Sequence, residues 1–160
     1  MLDAVIAQVF APAGMTLSSP VTREVEGAEY GAFRFGLDGR KLVFRIAKTT
    51  PTKPGQFFTL YQRAHPGAPI APLACDDALD VVVVASLGGI FLFDRAVLIA
   101  QGVLSSAAAP GKRALRIYPP SSVPLARQAI RTQQWQAPYF LALAPDGSAD
   151  PARTRLLLGA

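Results

Sequence analysis

Between Leu79 and Phe93 the chain runs through four consecutive valines, Val81–Val84, and, after Gly88-Gly89, through Ile90-Phe91-Leu92-Phe93. A short apolar run without alternation is the pattern of a fully buried strand, and paired glycines are a turn signal. The segment therefore predicts two buried strands joined by a turn, and a fold that must supply a sheet to bury them. It is too short to cross a bilayer, which takes about 20 residues, and Asp80, Ser86, Gly88 and Gly89 interrupt it. A chain of 160 residues with 51% apolar side chains has enough material for one such core.

Further elements follow from periodicity. Leu2, Val5, Ile6, Val9 and Phe10 fall at helical spacing, so residues 2–11 predict an amphipathic helix that ends before Pro12. Residues 15–28 read as extended or irregular. Alternating stretches at 32–37 and 40–48 flank Asp38-Gly39, a strong hairpin signal. A third strand is expected over Gln56–Arg63, and Leu79–Ser86 and Ile90–Phe93 follow. Asp94 is placed to cap a short helix that Gly102 ends. A strand over Ala114–Tyr118, a helix capped by Ser121 or Ser122 and running to about Gln134, and a last strand over Tyr139–Leu143 complete the series. This order predicts a single α/β domain over residues 1–160, with one mixed, mainly antiparallel sheet flanked by helices. From Pro145 to Ala160 a polar C-terminal tail is expected to fray.

Charge is scarce, at 17% of residues, and segregated. Residues 39–75 contain six bases and no acid, and residues 95–145 again contain six bases and no acid; Asp76, Asp77, Asp80 and Asp94 lie between them. If the fold joins the two basic blocks, their surface attracts phosphates; otherwise each is a solvated face. Of the 16 bases 12 are arginine, the residue suited to bidentate phosphate contacts. One cysteine, Cys75, excludes an internal disulfide and a thiolate metal cage, and one histidine, His65, excludes a site built on two imidazoles. No P-loop, GxGxxG or GxSxG pattern is present. The N-terminus shows no basic region ahead of its apolar residues, so a cytoplasmic protein with no membrane partner is expected.

Two segments stand out chemically. Arg45 to Phe57 contains a loop, fixed by Pro51, Pro54 and Gly55, that carries Lys48, Lys53 and three threonines. Such a loop presents donors to an anion, or its threonines cap turns and its lysines are merely solvated. The second is Arg116-Ile117-Tyr118-Pro119-Pro120 with the helix behind it. On that helix Arg127, Arg131 and Gln134 form one stripe, and Gln128, Thr132 and Trp135 the adjacent one. Basic and amide groups beside an aromatic can hold sugar-phosphate and stack a base, while core packing is the alternative for Trp135 and Tyr139.

Several of these residues together resemble the MepB-like family. The resemblance lies in Glu29-Tyr30-Gly31, in Arg45-x-x-Lys48-x-Thr50-Pro51-x-Lys53-x-Gly55-Gln56-Phe57, and in Lys112-Arg113-x-x-Arg116-x-Tyr118-Pro119-Pro120. Phe91-x-Phe93, Gln128-Ala129, Thr132-Gln133-x-Trp135-Gln136 and Tyr139-Phe140-Leu141 extend it over about residues 25–143. The resemblance implies a restriction-endonuclease-like fold, the PD-(D/E)xK class of metal-dependent nucleases, and a setting linked to multidrug export. Such nucleases hold Mg²⁺ with two or three acids and place a lysine two residues after one of them. Here the residue two before Lys48 is Ile46, so the motif is incomplete. What it leaves is Glu29 and Lys48 as candidate catalytic residues, with Glu29 and Asp38, or Asp80, as candidate metal ligands.

Binding of DNA or RNA without cleavage is the leading expectation. Its phosphate, polar and stacking contacts would come from Arg45, Lys48, Lys53, Gln56, Arg63, Arg116, Tyr118, Arg127, Arg131, Gln134 and Trp135. A Mg²⁺-dependent nuclease is the first alternative. A protein that binds a small anionic ligand near Thr49–Gly55, or one that pairs as a homodimer through an apolar surface, is the second.

Overall fold

The computed structural model describes residues 1–160. A helical turn, α1 (Leu2–Val5), widens into a π-helical turn over Ile6–Phe10, and β1 (Leu17–Arg23) follows. A 3₁₀ turn over Ala28–Tyr30 leads to β2 (Phe33–Leu37), β3 (Arg40–Ile46), β4 (Lys48–Thr49) and β5 (Gln56–Thr59). Then come β6 (Val81–Ser86), β7 (Gly89–Asp94), α2 (Arg95–Ala100), β8 (Ala114–Ile117) and α3 (Arg127–Gln136). A 3₁₀ turn over Ala137–Tyr139, β9 (Phe140–Ala142) and α4 (Pro151–Leu157) close the chain. No helix is long and apolar enough to cross a membrane.

The valine run is where the sequence placed it. β6 lies inside a six-stranded sheet of order β1-β2-β3-β6-β7-β9, parallel to β3 and antiparallel to β7. Val81 and Val83 point to one face, with Leu2, Val5, Phe10, Phe44 and Leu158; Val82 and Val84 point to the other, with Phe58, Leu98, Leu115 and Ile117. Both faces are covered, which is why β6 has no polar alternation. Asp38, at φ 48°, and Gly39, at φ 81°, make the two-residue hairpin between β2 and β3 with both residues left-handed, as a type I′ turn requires.

Instead of one sheet there are two. β4, β5 and β8 form a separate three-stranded sheet, packed over the Val82/Val84 face. After Ala47 the prolines of the 50–55 loop deny the chain a continuous ladder, and it reverses off the main sheet. The expected strand over Gln56–Arg63 keeps only Gln56–Thr59 for the same sheet. Leu17–Arg23, which lacks an alternating signal, becomes an edge strand through pairing with β2. α3 begins at Arg127 rather than at Ser121 or Ser122. Gln133 Nε2 donates to Pro119 O and Ser122 O, which holds 119–126 as a loop.

The last 16 residues do not fray. Asp150 caps α4 by accepting from Ala152 N, and Leu158 is buried against the first helix. Arg153 donates twice to Phe140 O, and Arg40 donates to Gly159 O.

The two sheets are tied by a buried arginine. Arg45, on β3, is fully buried; its Nη1 donates to Glu24 Oε1 at 2.8 Å and to Phe44 O, and its Nε donates to Thr59 O on β5. Glu24 is also paired with Arg34 Nε at 2.9 Å. Arg45→Met is expected to destabilise the fold by about 3 kcal/mol in denaturant unfolding, because it leaves the Thr59 carbonyl and one Glu24 oxygen without their donor while Arg34 keeps the other. Leu158→Ala should cost about 2 to 3 kcal/mol by the same measurement, whereas a frayed tail would show no change.

Candidate nucleic-acid interface

The outer face of the small sheet carries a row of side chains set by strand register. Lys48 on β4 lies opposite Phe57 on β5, and Phe57 lies opposite Arg116 on β8. Directly opposed residues share a face, so the two cationic residues rise from strands about 10 Å apart with an aromatic between them. Arg116 Cζ is 5.8 Å from the Phe57 ring centre, Tyr30 meets Phe57 edge-on at 6.2 Å, and Lys48 Nζ sits 4.7 Å over the Tyr30 ring. Burial, with Glu29 and Tyr61 adding to it, raises the Tyr30 phenol above its ordinary value, so the ring under Lys48 stays neutral at physiological pH. The rings hold the two cations in place without neutralising them.

The row continues into a groove of about 550 Å³ between β8 and the start of α3. Lys53, Lys112 and Arg116 supply its charge; Gln128 and Thr132 line it from α3; Leu115, Tyr118 and Leu125 are among its apolar contacts. None of its lining residues is acidic. The three ion pairs of the structure use Arg34, Arg45 and Arg63, so none of these groove cations is spent on a carboxylate.

Three local devices build this groove. Gln136, fully buried, accepts from Tyr118 N and donates to Arg116 O, so a side-chain amide stands in for a neighbouring strand at the open edge of β8. Arg116 Nη1 donates to Thr50 Oγ1 and to Pro54 O, which orders the 50–55 loop above the sheet. Gly55, at φ 83°, lies so close to Ile117 O and the Tyr118 ring that a Cβ would stand 2.5 Å from that carbonyl.

The expected contact residues divide accordingly. Lys48, Lys53, Arg116 and Tyr118 come together here, joined by Lys112, Gln128 and Thr132. Arg127, Arg131 and Gln134 lie exposed on α3, with Gln134 beside a smaller depression next to Tyr118 and Pro120. Four others are corrected by their surroundings. Arg45 is fully buried and cannot reach a phosphate. Gln56 is buried, its amide donating to Thr49 Oγ1 and accepting from Leu87 N. Arg63 is paired with Glu26 at 2.8 Å and donates to Ala68 O, outside the groove. Trp135 turns inward onto Phe93, 5.5 Å between ring centres. Lys112 sits in a basic block that the sequence displayed, but only the approach of α3 to β8 makes it part of a groove.

The metal constellation does not form. Glu29 precedes β2 and Asp38 follows it, so β2 holds them at opposite ends. Asp38 accepts from Thr16 N, and Asp80 accepts from Lys41 N near that same far end. No three of His, Cys, Asp and Glu gather anywhere in the chain in a way that could hold an ion. Glu29 and Lys48 do approach the same ring, Tyr30, but no second acid joins them. The donor set does not fit Mg²⁺, which is held by carboxylates.

Comparison with known proteins agrees with the motifs. The pattern of the MepB-like family matches residues 24–142. The solved structure "Crystal Structure of MepB" is 32% identical, covers 78% of this chain and 85% of its own, and superposes with a TM-score of 0.71. A bacterial homing endonuclease, I-Ssp6803I, aligns at 11% identity and a TM-score of 0.41 over 85% of this chain and 83% of its own, too remote to bear on chemistry. No curated protein matches the chain. The motifs that line the groove and those that tie the two sheets all fall within the matched residues, and the chain belongs to the MepB-like family.

Proposed function

We propose that this protein binds nucleic acid through its phosphate backbone, along the track from Lys48 past Arg116 into the groove of Lys53 and Lys112. The observation that carries this reading is the groove itself: three cations without carboxylate partners, and no acid among the residues that line it. Isolated surface lysines are ordinarily interleaved with acids; here two acid-free stretches of sequence converge on one face. The extended spacing of Lys48 and Arg116 suits a repeating polyanion better than one compact phosphate. Polar neighbours such as Gln128 and Thr132 add contacts that need no charge.

A small anionic ligand is the second reading, since a groove of about 550 Å³ lies within the range of small-molecule sites. Thermal-shift measurements separate the two: a mononucleotide that stabilises the protein as strongly as an oligonucleotide favours the small ligand.

Binding to an oligonucleotide is expected to weaken as salt rises, through release of counterions. Lys53→Ala and Lys112→Ala should each lower the slope of log affinity against log salt by about one, with little change in thermal stability. Salt-independent binding, or no binding at about 50 mM salt, sinks the proposal. Addition of Mg²⁺ should leave the nucleic acid intact in the wild type and in Glu29→Gln alike. Cleavage by the wild type that Glu29→Gln abolishes would instead establish a nuclease.

A further inference from the structure

Lys53 stands on a loop that one side chain holds. Residues 50–55 join β4 to β5, and none of the backbone hydrogen bonds made in turns and loops begins or ends on them. Pro51, Thr52, Lys53 and Pro54 are exposed. At the foot of the loop Gly55 lies close against Ile117 O and the Tyr118 ring. Above that foot the hydrogen bonds from the rest of the chain are two, and both come from Arg116 Nη1: to Thr50 Oγ1 at 3.0 Å and to Pro54 O at 3.2 Å. Thr50 Oγ1 in turn donates to Lys53 O at 3.5 Å, a long hydrogen bond. A chain of contacts therefore runs from Arg116 through Thr50 to the backbone of Lys53, and Arg116 and Lys53 line the same groove.

From this arrangement we infer that Arg116 is a positioning residue for Lys53: it holds the 50–55 loop in place, and the contribution of Lys53 to phosphate binding depends on that hold. On an unheld loop Lys53 gives up backbone and side-chain freedom each time it meets a phosphate. On a held loop that ordering is complete before the anion arrives. Pro51 and Pro54 narrow the backbone freedom of the loop, but neither fixes where the loop lies relative to β8. A guanidinium suits the double task, since its planar fork carries five N–H donors and one nitrogen is enough for the loop. The remaining donors of Arg116 are left for a phosphate oxygen. A lysine at this position would bring the same charge on a compact head without the fork. This role rests on the phosphate-binding proposal and makes two of its cations interdependent.

The test is a double-mutant cycle in the full chain, read by fluorescence anisotropy of a fluorescein-labelled oligonucleotide across a salt series. Thr50→Val removes the hydroxyl and alters no charge, Thr50→Ser keeps the hydroxyl, and Arg116→Lys keeps the charge and removes the fork. Each is measured alone and combined with Lys53→Ala. Thr50→Val should weaken binding about three- to tenfold, the worth of one hydrogen bond, and Thr50→Ser should bind as the wild type does. Arg116→Lys should lower the slope of log affinity against log salt by about one, although the net charge is unchanged. In the Arg116→Lys background Lys53→Ala should have little further effect, and in the Thr50→Val background a reduced one. A loss that came through folding alone would move thermal stability and leave the coupling between these positions at zero. Additive effects with Lys53→Ala, or an unchanged salt slope in Arg116→Lys, overturn the positioning role while leaving phosphate binding standing. Wild-type binding that is salt-dependent but indifferent to Lys53→Ala overturns it as well. No salt-dependent binding by the wild type overturns phosphate binding itself, and the positioning role with it.

Discussion

The guanidinium of Arg45 sits in the plane where the two sheets meet, and the architecture depends on its being there. It projects from β3 of the main sheet, donates to Thr59 O on β5 of the small sheet, and pairs with Glu24, which reaches in from the end of β1. A charge placed there is costly unless paired and hydrogen-bonded, so its presence specifies one relative placement of three segments rather than adding greatly to stability. Gly27 packs against the same guanidinium; a Cβ there would lie 3.2 Å from Arg45 Nε. The loop that carries Glu29 and Tyr30 is thereby fixed over the small sheet, where Tyr30 supports Lys48.

This changes the meaning of the most distinctive motif in the chain. In Arg45-x-x-Lys48-x-Thr50-Pro51-x-Lys53-x-Gly55-Gln56-Phe57, three of the five polar residues are builders, as is Gly55. Arg45 joins the sheets, Thr50 receives Arg116, Gly55 permits the close approach to β8, and Gln56 secures Leu87 at the β6–β7 turn. Only Lys48 and Lys53 are left with free charge at the surface. The same division holds downstream, where Gln133 and Gln136 bind backbone and Gln128 and Thr132 face the groove. A polar residue in a distinctive motif is as often an internal hydrogen-bonding strut as a ligand contact, and burial decides which.

The distribution of acids explains why the groove is lined by cations alone and why carboxylates gather in no cluster that could hold an ion. Glu24 and Glu26 are consumed by Arg45, Arg34 and Arg63, and Asp77 and Asp80 by backbone amides and Gln62. Asp94 and Asp150 cap helices. Each of these acids is tied to a local structural task, and β2 separates Asp38 from Glu29. The cations of the groove, by contrast, have no carboxylate partners. Fold and charge together give a groove lined by cations without acids, and no cluster of carboxylates.

What the sequence determined by itself was local: the buried β6–β7 pair from its valine run, the Asp38-Gly39 hairpin, the Asp94 cap, the segregation of charge, and the family. These follow from propensity, turn chemistry and composition, which act over a few residues or on the whole chain at once. Tertiary structure decided everything that required two distant segments to meet. The split into two sheets, the edge pairing of β1 and the docking of α4 through Leu158 all rest on contacts between residues far apart in sequence. So does the site. Arg45 and Arg63 look alike on paper, as do Gln128 and Gln136, and no periodicity distinguishes them. Only the packing of β3 against β5 and of α3 against β8 buries one of each pair, because burial is a property of what comes to lie over a residue and not of its neighbours along the chain.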